Sequence, residues 1–278
     1  MYIRCWGSRG SIPVNGPEHL RYGGDTTCLE IRSNKGDLVV VDAGTGIRRL
    51  GEKLAREGPH EFDLLFTHAH LDHVMGFPFF VPVYQENTRI RIHGRPFRFR
   101  SYHEILKGVM CNPYCPVDFE DTKASFEFNN IGDKPFAIGS LSIRSIMLSH
   151  PNGGLGFRFE EDGVSFVFLT DNELDYVHPD GRTVQEYTAF SQGADLLIHD
   201  AEYTSEDYSR AWGHSVFESA VKMGIAAKAK QFGLFHINQR RTDDEMDAMV
   251  EKSRALVAEA GSDMECFAVS NMWEAQLG

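Results

Sequence analysis

The stretch Thr67-His68-Ala69-His70-Leu71-Asp72-His73 places four potential metal ligands within six residues, directly after an apolar run. In an extended or tightly turning segment, alternate side chains point to one side, so the first two histidines can share one ion. The aspartate and the third histidine can then reach a second point just beyond it. Such a cluster suits two divalent ions about 3.5–4 Å apart. Imidazole and carboxylate ligands favour Zn²⁺, with Mn²⁺ or Fe²⁺ as alternatives.

The chain around this cluster alternates between strands and helices. From alternating or continuous apolar runs, strands are predicted at residues 1–6, 28–32, 38–41, 62–66, 89–94, 125–129, 141–148, 156–160, 165–169, 196–198, 233–235 and 265–270. Helices are predicted after residue 46, over 101–109, from 215 and from 242. The last two begin at the capping-box pairs Ser215–Glu218 and Thr242–Glu245. Strand-rich openings near residues 1 and 141 indicate an organisation in two halves.

Several predicted strands end in a histidine or an acidic residue. Asp42 follows the β-branched run 38–41, which is typical of a strand buried on both faces. His150, Asp171, the pair His199 and Asp200, and His236 each follow a later strand. Side chains at such strand ends can supply ligands that the 67–73 cluster does not itself provide.

Composition indicates one globular protein. The 278 residues suit a single domain, 1–278, in which the least regular part, 95–137, is a candidate for a substrate-facing insertion. No apolar run approaches the ~20 residues that span a bilayer, and the N-terminus lacks a signal-peptide core, so a cytoplasmic location without membrane contact is expected. Five scattered cysteines, among them the pair Cys111 and Cys115, indicate free thiols.

The pattern His-x-His-x-Asp-His after a strand resembles the signature of the metallo-β-lactamase superfamily. That resemblance implies an α/β fold, a four-layer αβ/βα sandwich of two mixed sheets flanked by helices, with the metals at one edge. It also implies a structural role for Asp42 and a ligand set for two divalent ions. The implied ligands are His68, His70, His150 and Asp171 for the first ion, and Asp72, His73, Asp171 and His236 for the second.

A second motif resembles the phosphodiesterase branch of this superfamily, which includes tRNA 3′-processing endonucleases and cyclic-nucleotide phosphodiesterases. It comprises His199-Asp200-Ala201-Glu202, then His214-Ser215, then His236. Asp200 stands where the tRNA-processing enzymes carry glutamate. In this interpretation Asp72 orients the nucleophile or accepts its proton, His214 donates a proton to the leaving oxygen, and Asp200 holds the His214 imidazole in one tautomer. The simpler alternative for His214-Ser215 is a helix cap with an incidental histidine.

A small phosphodiester, such as a cyclic nucleotide or a dinucleotide, is the expected substrate. The formal net charge of −12 argues against nucleic acid as a partner, and no tRNA-gripping insertion separates His150 from Asp171. Candidate substrate walls are Arg9, Phe77, Phe79, Tyr114, Asn152 and Trp212. Three alternatives stay open: a thioester or lactone hydrolase, an RNA-processing endonuclease, and a non-catalytic nucleotide-binding regulator. Because dimers are common in this superfamily, a homodimer is a further expectation.

Overall fold

The computed structural model of the protein describes residues 1–58, 60–132 and 134–278. Its strands are β1 (Tyr2–Gly7), β2 (Cys28–Arg32), β3 (Leu38–Val41), β4 (Glu61–Leu65), β5 (Arg89–Gly94), β6 (Ser125–Asn130), β7 (Phe136–Ile138), β8 (Leu141–Met147), β9 (Leu155–Glu161), β10 (Val164–Leu169), β11 (Leu196–Asp200), β12 (Gln231–Phe235), β13 (Glu265–Ala268) and β14 (Glu274–Gln276). Its α-helices are α1 (Ile47–Glu57), α2 (Leu71–Val74), α3 (Tyr102–Val109), α4 (Val184–Phe190), α5 (Phe217–Ala226) and α6 (Asp243–Glu259). Over these described ranges, none of the helices combines the length and the apolar character that a bilayer crossing requires.

Across the described residues, the strands form two mixed sheets of seven strands each. The first sheet has the order β14-β1-β2-β3-β4-β5-β6, and the second has the order β13-β12-β11-β10-β9-β8-β7. In the first sheet β3 to β6 are parallel, and in the second β10 to β13 are parallel. The other neighbouring strands of both sheets pair antiparallel. The predicted fold of two mixed sheets flanked by helices is confirmed. The two predicted halves match the two sheets, except that β14 returns to pair with β1.

The core is layered because successive side chains of a strand point to opposite faces. In β3, Val39 and Val41 pack between the two sheets, whereas Val40 packs under the helices on the outer face of the first sheet. Helices α1 and α3 cover that outer face through residues such as Leu50 and Leu106. Helices α4, α5 and α6 cover the outer face of the second sheet. The continuous apolar run of β3 therefore reflects burial on both faces.

Four elements escaped prediction, and one predicted capping box was wrong. Strands β7 and β14 have only three residues each, α2 has only four, and α4 was not predicted. The capping box of Thr242 and Glu245 is confirmed at the start of α6. The box predicted for Ser215 does not form, because α5 begins two residues later and the Ser215 hydroxyl instead donates to the Asn172 carbonyl at 2.5 Å.

The segment 95–137, apart from Asp133, which lies outside the described residues, joins the two sheets. It begins with a tight turn after β5, continues through α3, and ends in the edge strands β6 and β7. Leu106 of α3 and Phe119 are buried in the outer core of the first sheet. Much of this segment is thus packed against the first sheet, and its opening turn faces the edge where the ligands gather.

Both sheets present the carboxyl ends of parallel strands at this same edge. Strands β3 and β4 of the first sheet end just before Asp42 and the 67–73 cluster. In the second sheet, β8 and β10 lie antiparallel to β9 and thus parallel to each other, and β10, β11 and β12 are parallel. The fold therefore brings the polar residues at the strand ends of both sheets together at one site.

Candidate active site

All seven predicted metal ligands come together at this edge. His68, His70 and His150 form one group whose ligand atoms lie within 4.8 Å of one another. A second group on the same criterion contains Asp72, His73, Asp171 and His236. All of these side chains are buried except that of His70, which is partly exposed.

Asp171 occupies the centre of the cluster. Its Oδ1 lies 3.6 Å from Nε2 of His68, 3.8 Å from Nε2 of His150 and 3.2 Å from Nε2 of His236. Its Oδ2 lies 3.3 Å from Nε2 of His73. One carboxylate thus faces histidines of both groups, which is the arrangement expected of a carboxylate that bridges two ions.

The outer nitrogens of three histidines are held by hydrogen bonds. Nδ1 of His150 donates to the Gly213 carbonyl at 2.9 Å, Nδ1 of His73 pairs with Asp42 at 2.8 Å, and Nδ1 of His236 pairs with Glu202 at 2.9 Å. A neighbour that fixes one ring nitrogen leaves the other free as a ligand and sets the ring orientation. Each of these rings therefore directs Nε2 into the cluster.

Two of the inward nitrogens are buried without a partner. Among the described residues, Nε2 of His68 and Nε2 of His73 lie within no hydrogen bond. A buried polar atom left unpaired costs about 1–3 kcal/mol, so such atoms are rare unless an ion or water completes them. Two unpaired imidazole nitrogens beside a buried carboxylate fit a divalent metal ion.

The electrostatics of the cluster also favour a cation. Burial lowers the pKa of His68, His70 and His150, which keeps these rings neutral and able to ligate. Burial acts in the same direction on His73 and His236, but Asp171 and the other nearby carboxylates outweigh it and raise the pKa of both rings well above the ordinary value. Carboxylate charge thus exceeds the local positive charge, and a bound cation can compensate it.

Three strand ends carry backbone conformations that are unusual for their residue types. Asp42, Asp171 and His236 have φ values of 62°, 50° and 56°. The left-handed region costs a residue with a side chain free energy, and such conformations concentrate at functional sites. In each case the sharp turn after a strand keeps the polar side chain at the sheet edge.

His214 lies beside the cluster and is held by Asp200. Nδ1 of His214 pairs with Oδ2 of Asp200 at 2.7 Å, and the backbone N–H of Ser215 donates to the other oxygen at 2.8 Å. The shorter aspartate side chain therefore reaches His214. Burial alone would lower the pKa of His214, but the carboxylates of Glu202 and Asp200 raise it to about 9. The ring also stacks on His236 with a centroid distance of 4.5 Å.

Two buried glutamates at this site were not given roles by the sequence. Glu202 pairs with Nδ1 of His236. The sequence could have indicated this role, because Asp200 and Glu202 are two residues apart in an extended segment and therefore point to the same side of the chain. Glu173 accepts hydrogen bonds from the Tyr208 hydroxyl and from the backbone N–H of Ala211 and Gly213. It thereby fixes the loop that leads into His214.

Two clefts flank the cluster. The first, of about 470 Å³, is lined by Thr67, the turn at 95–99, Asn152 and Asp180. The second, of about 460 Å³, is lined by Trp212, His214, Arg240 and Arg241 among others.

The predicted substrate walls divide between clefts, core and surface. Asn152 and Trp212 line the first and second clefts. Arg9 and Phe77 are fully buried, so their assignment as walls was wrong. The Arg9 guanidinium instead donates to the carbonyls of Gly23, Asn238 and Arg241, because a buried charge needs such partners. Phe79 and Tyr114 are exposed and line neither cleft.

Replacing Glu202 by glutamine should weaken metal binding about 10–100-fold, because the pairing that orients His236 is lost or reversed. Competition with a chromophoric chelator measures the dissociation constant of the metal. Glu206→Gln, at an exposed position four residues further on, is the matched control. An unchanged metal affinity in Glu202→Gln would remove Glu202 from the support of the site.

Comparison with known proteins gives one family and several relatives. A family model described as "Beta-lactamase superfamily domain" matches residues 38–237. Ribonuclease Z of Thermococcus kodakarensis is 24% identical over 247 residues, covering 73% of this chain and 75% of that protein. The solved structure of a diphosphatase from the PhnP family covers 100% of this chain and 98% of its own, at 17% identity and a TM-score of 0.69. The short form of human tRNase Z covers 100% of both chains, at 17% identity and a TM-score of 0.66.

Proposed function

The chain belongs to the metallo-β-lactamase superfamily, and within it we propose that this protein is a metal-dependent phosphodiesterase that cleaves a small phosphodiester. The observation that carries the proposal is the pairing of His214 with Asp200 at 2.7 Å beside the ligand cluster. That pair adds a proton donor to the metal ligands. A phosphodiester requires one because its alkoxide leaving group is a strong base.

Two divalent ions are proposed, Zn²⁺ in preference to Mn²⁺ or Fe²⁺. The first would be held by His68, His70, His150 and Asp171, and the second by Asp72, His73, Asp171 and His236. Bound ions of this kind lower the pKa of water and screen the negative oxygens of a phosphate. The nitrogen-rich donor set and the unpaired Nε2 atoms support this assignment.

Asp72 is proposed to orient the attacking water and to accept its proton. Its Oδ2 accepts a hydrogen bond from the backbone N–H of Ser11 at 2.9 Å and lies 3.3 Å from Nε2 of both His73 and His236. The Ser11 contact fixes the direction of the carboxylate. One oxygen of Asp72 can therefore serve as a ligand while the other faces the nucleophile.

His214 is proposed to donate a proton to the leaving oxygen, and Asp200 to hold its ring in position. With Nδ1 bonded to Asp200, the proton available for transfer is on Nε2. His214 also lines the second cleft, so a leaving group that occupies this cleft lies beside the ring. A thioester releases a thiolate, which is a weaker base than an alkoxide, and so gains less from such a donor.

Cleavage of RNA is the second candidate function. The net charge argued against nucleic acid as a partner, but relatives of this chain are named Ribonuclease Z, and they do not support that argument. The cleft volumes of about 460 and 470 Å³ favour the small diester.

We also propose that residues 1–278 form one domain, in which the segment 95–137 supplies part of the substrate wall through its opening turn, residues 95–99. We further propose that two copies associate. Light scattering after size-exclusion chromatography tests the association.

A substrate panel tests the function. With Zn²⁺ or Mn²⁺ added, we expect hydrolysis of bis(p-nitrophenyl) phosphate and of small nucleotide diesters, and no comparable hydrolysis of a thioester or a lactone. Pre-tRNA processed at rates that rival the small diesters would favour the RNA-processing function. Thioester or lactone turnover without diesterase activity would contradict the proposal.

A further inference from the structure

The segment Arg95-Pro96-Phe97-Arg98-Phe99-Arg100, here called the arginine turn, is a short projection after β5. Phe97 and Arg100 pair across it through two backbone hydrogen bonds of 2.9 and 3.0 Å. The two central residues, Arg98 and Phe99, have φ values of 51° and 66°. Positive φ at both central positions is the geometry of a type I′ turn, which normally selects Asn-Gly. Neither residue is one that the turn itself prefers.

The side chains of the arginine turn are exposed and carry unneutralised charge. Phe99 is fully exposed, and the three arginines are exposed as well. Over residues 1–58, 60–132 and 134–278, Arg95 and Arg98 form no ion pair with a carboxylate. Although the protein has a formal net charge of −12, the arginine turn concentrates positive charge locally, and its aromatic rings alternate in sequence with the arginines.

The turn lies directly against the ligand cluster. The Phe97 ring is 6.0 Å from the ring of His68 and 5.6 Å from that of His70, and it stands perpendicular to the latter. Arg95 to Phe99 also line the first cleft, whose lining includes Asp180. A group attached to a phosphate at the metal ligands can therefore extend over Phe97 towards the tip of the turn.

The second cleft, on the His214 side of the cluster, also contains an aromatic ring and a guanidinium group. Trp212 is 69% exposed there, and Arg240 is exposed beside it. The cluster thus has an aromatic ring and a guanidinium group on each flank. Aromatic side chains stack on nucleobases, and guanidinium groups bind phosphates and stack on bases as well.

On the basis of the proposed function, we propose that the substrate is a diester joining two nucleosides, and that the arginine turn binds one of them. The base stacks on Phe97 and Phe99, and Arg98 pairs with a further phosphate of that nucleotide. The second nucleoside occupies the cleft at Trp212. A cyclic mononucleotide carries only one base and would leave one of the two clefts empty, so it fits this arrangement less well.

The test replaces the tip of the turn without disturbing its backbone. Arg98→Asn combined with Phe99→Gly introduces the residues that a type I′ turn prefers, while it removes the charge and the ring. Metal-loaded protein is titrated with a fluorescent phosphorothioate dinucleotide, and hydrolysis of the dinucleotide pApA is compared with that of bis(p-nitrophenyl) phosphate. We expect the dissociation constant of the phosphorothioate to rise about tenfold. We also expect the kcat/KM for pApA, divided by that for bis(p-nitrophenyl) phosphate, to fall about tenfold.

The control variant combines Arg56→Asn with Tyr114→Gly, two exposed positions outside both clefts, and should match the wild type. Phosphorothioate binding by the turn variant within twofold of wild type would overturn the inference, as would a wild-type preference for 3′,5′-cyclic AMP over the dinucleotide. Failure of the proposed function is a separate result, namely no hydrolysis of bis(p-nitrophenyl) phosphate by the wild type. The binding titration still decides the role of the turn in that case.

Discussion

Protein in which His68 and His70 are both replaced by alanine is expected to lose the first of its two proposed ions and to hydrolyse bis(p-nitrophenyl) phosphate no faster than buffer. The two rings belong to one group of proposed ligands, whose nitrogen atoms lie within 4.8 Å of one another. Alanine offers no donor, and only His150 and the shared Asp171 would remain at this position. Two ligands do not complete the tetrahedral or larger coordination that Zn²⁺ adopts in proteins.

Elemental analysis of dialysed protein measures the metal, and initial rates measure the activity. His103→Ala is a suitable control, because His103 is exposed on α3 and packs on Phe119 away from the cluster. Circular dichroism should report the same secondary structure in both variants. Retained turnover in the double variant would refute the assignment of these two histidines to the site.

His214→Ala should keep its metal but lose about 10²–10⁴-fold in the rate of dinucleotide cleavage. The ring is not among the proposed ligands, so metal content should not change. The loss comes from the leaving oxygen, which would depart as an alkoxide without receiving a proton. Asp200→Asn should reproduce part of the loss, since the amide holds the imidazole less well in the required tautomer.

The dependence on the leaving group separates proton donation from a structural role. A p-nitrophenolate departs readily without a proton, so the loss in His214→Ala should be much smaller for bis(p-nitrophenyl) phosphate than for the dinucleotide. A distorted site would slow both substrates to a similar degree. If both rates stay near those of the wild type, His214 does not take part in proton transfer.

The ligand cluster was predictable because its chemistry is local. His68, His70, Asp72 and His73 lie in one stretch, and the distant His150, Asp171 and His236 each follow a recognisable strand. The strands themselves were predictable from apolar runs, whereas β7 and β14 are too short to produce a pattern.

The residues that support the ligands were harder to predict, because their roles depend on tertiary contacts. Glu173 accepts hydrogen bonds from Tyr208, Ala211 and Gly213, which are 35 to 40 positions away in sequence, and Glu202 pairs with His236, which is 34 positions away. Ser215 had a capping-box pattern, yet its hydroxyl bonds to Asn172 instead. For α4 the signal was present and missed, since Thr183 and Glu186 form a capping box at its start. The arginine turn could be recognised only once β5 was seen to end beside the histidines.

The proposed ligands come from both sheets, and this has a consequence for the stability of the folded protein. Ions held by His68 on one side and by His150 and His236 on the other would fasten the two halves of the sandwich to each other. An ion that binds only the folded chain adds about 4 kcal/mol to the free energy of unfolding at a free concentration 1,000 times its dissociation constant. Thermal denaturation in chelator should therefore begin at a lower temperature. Metal supply would then govern the amount of intact protein as well as its turnover.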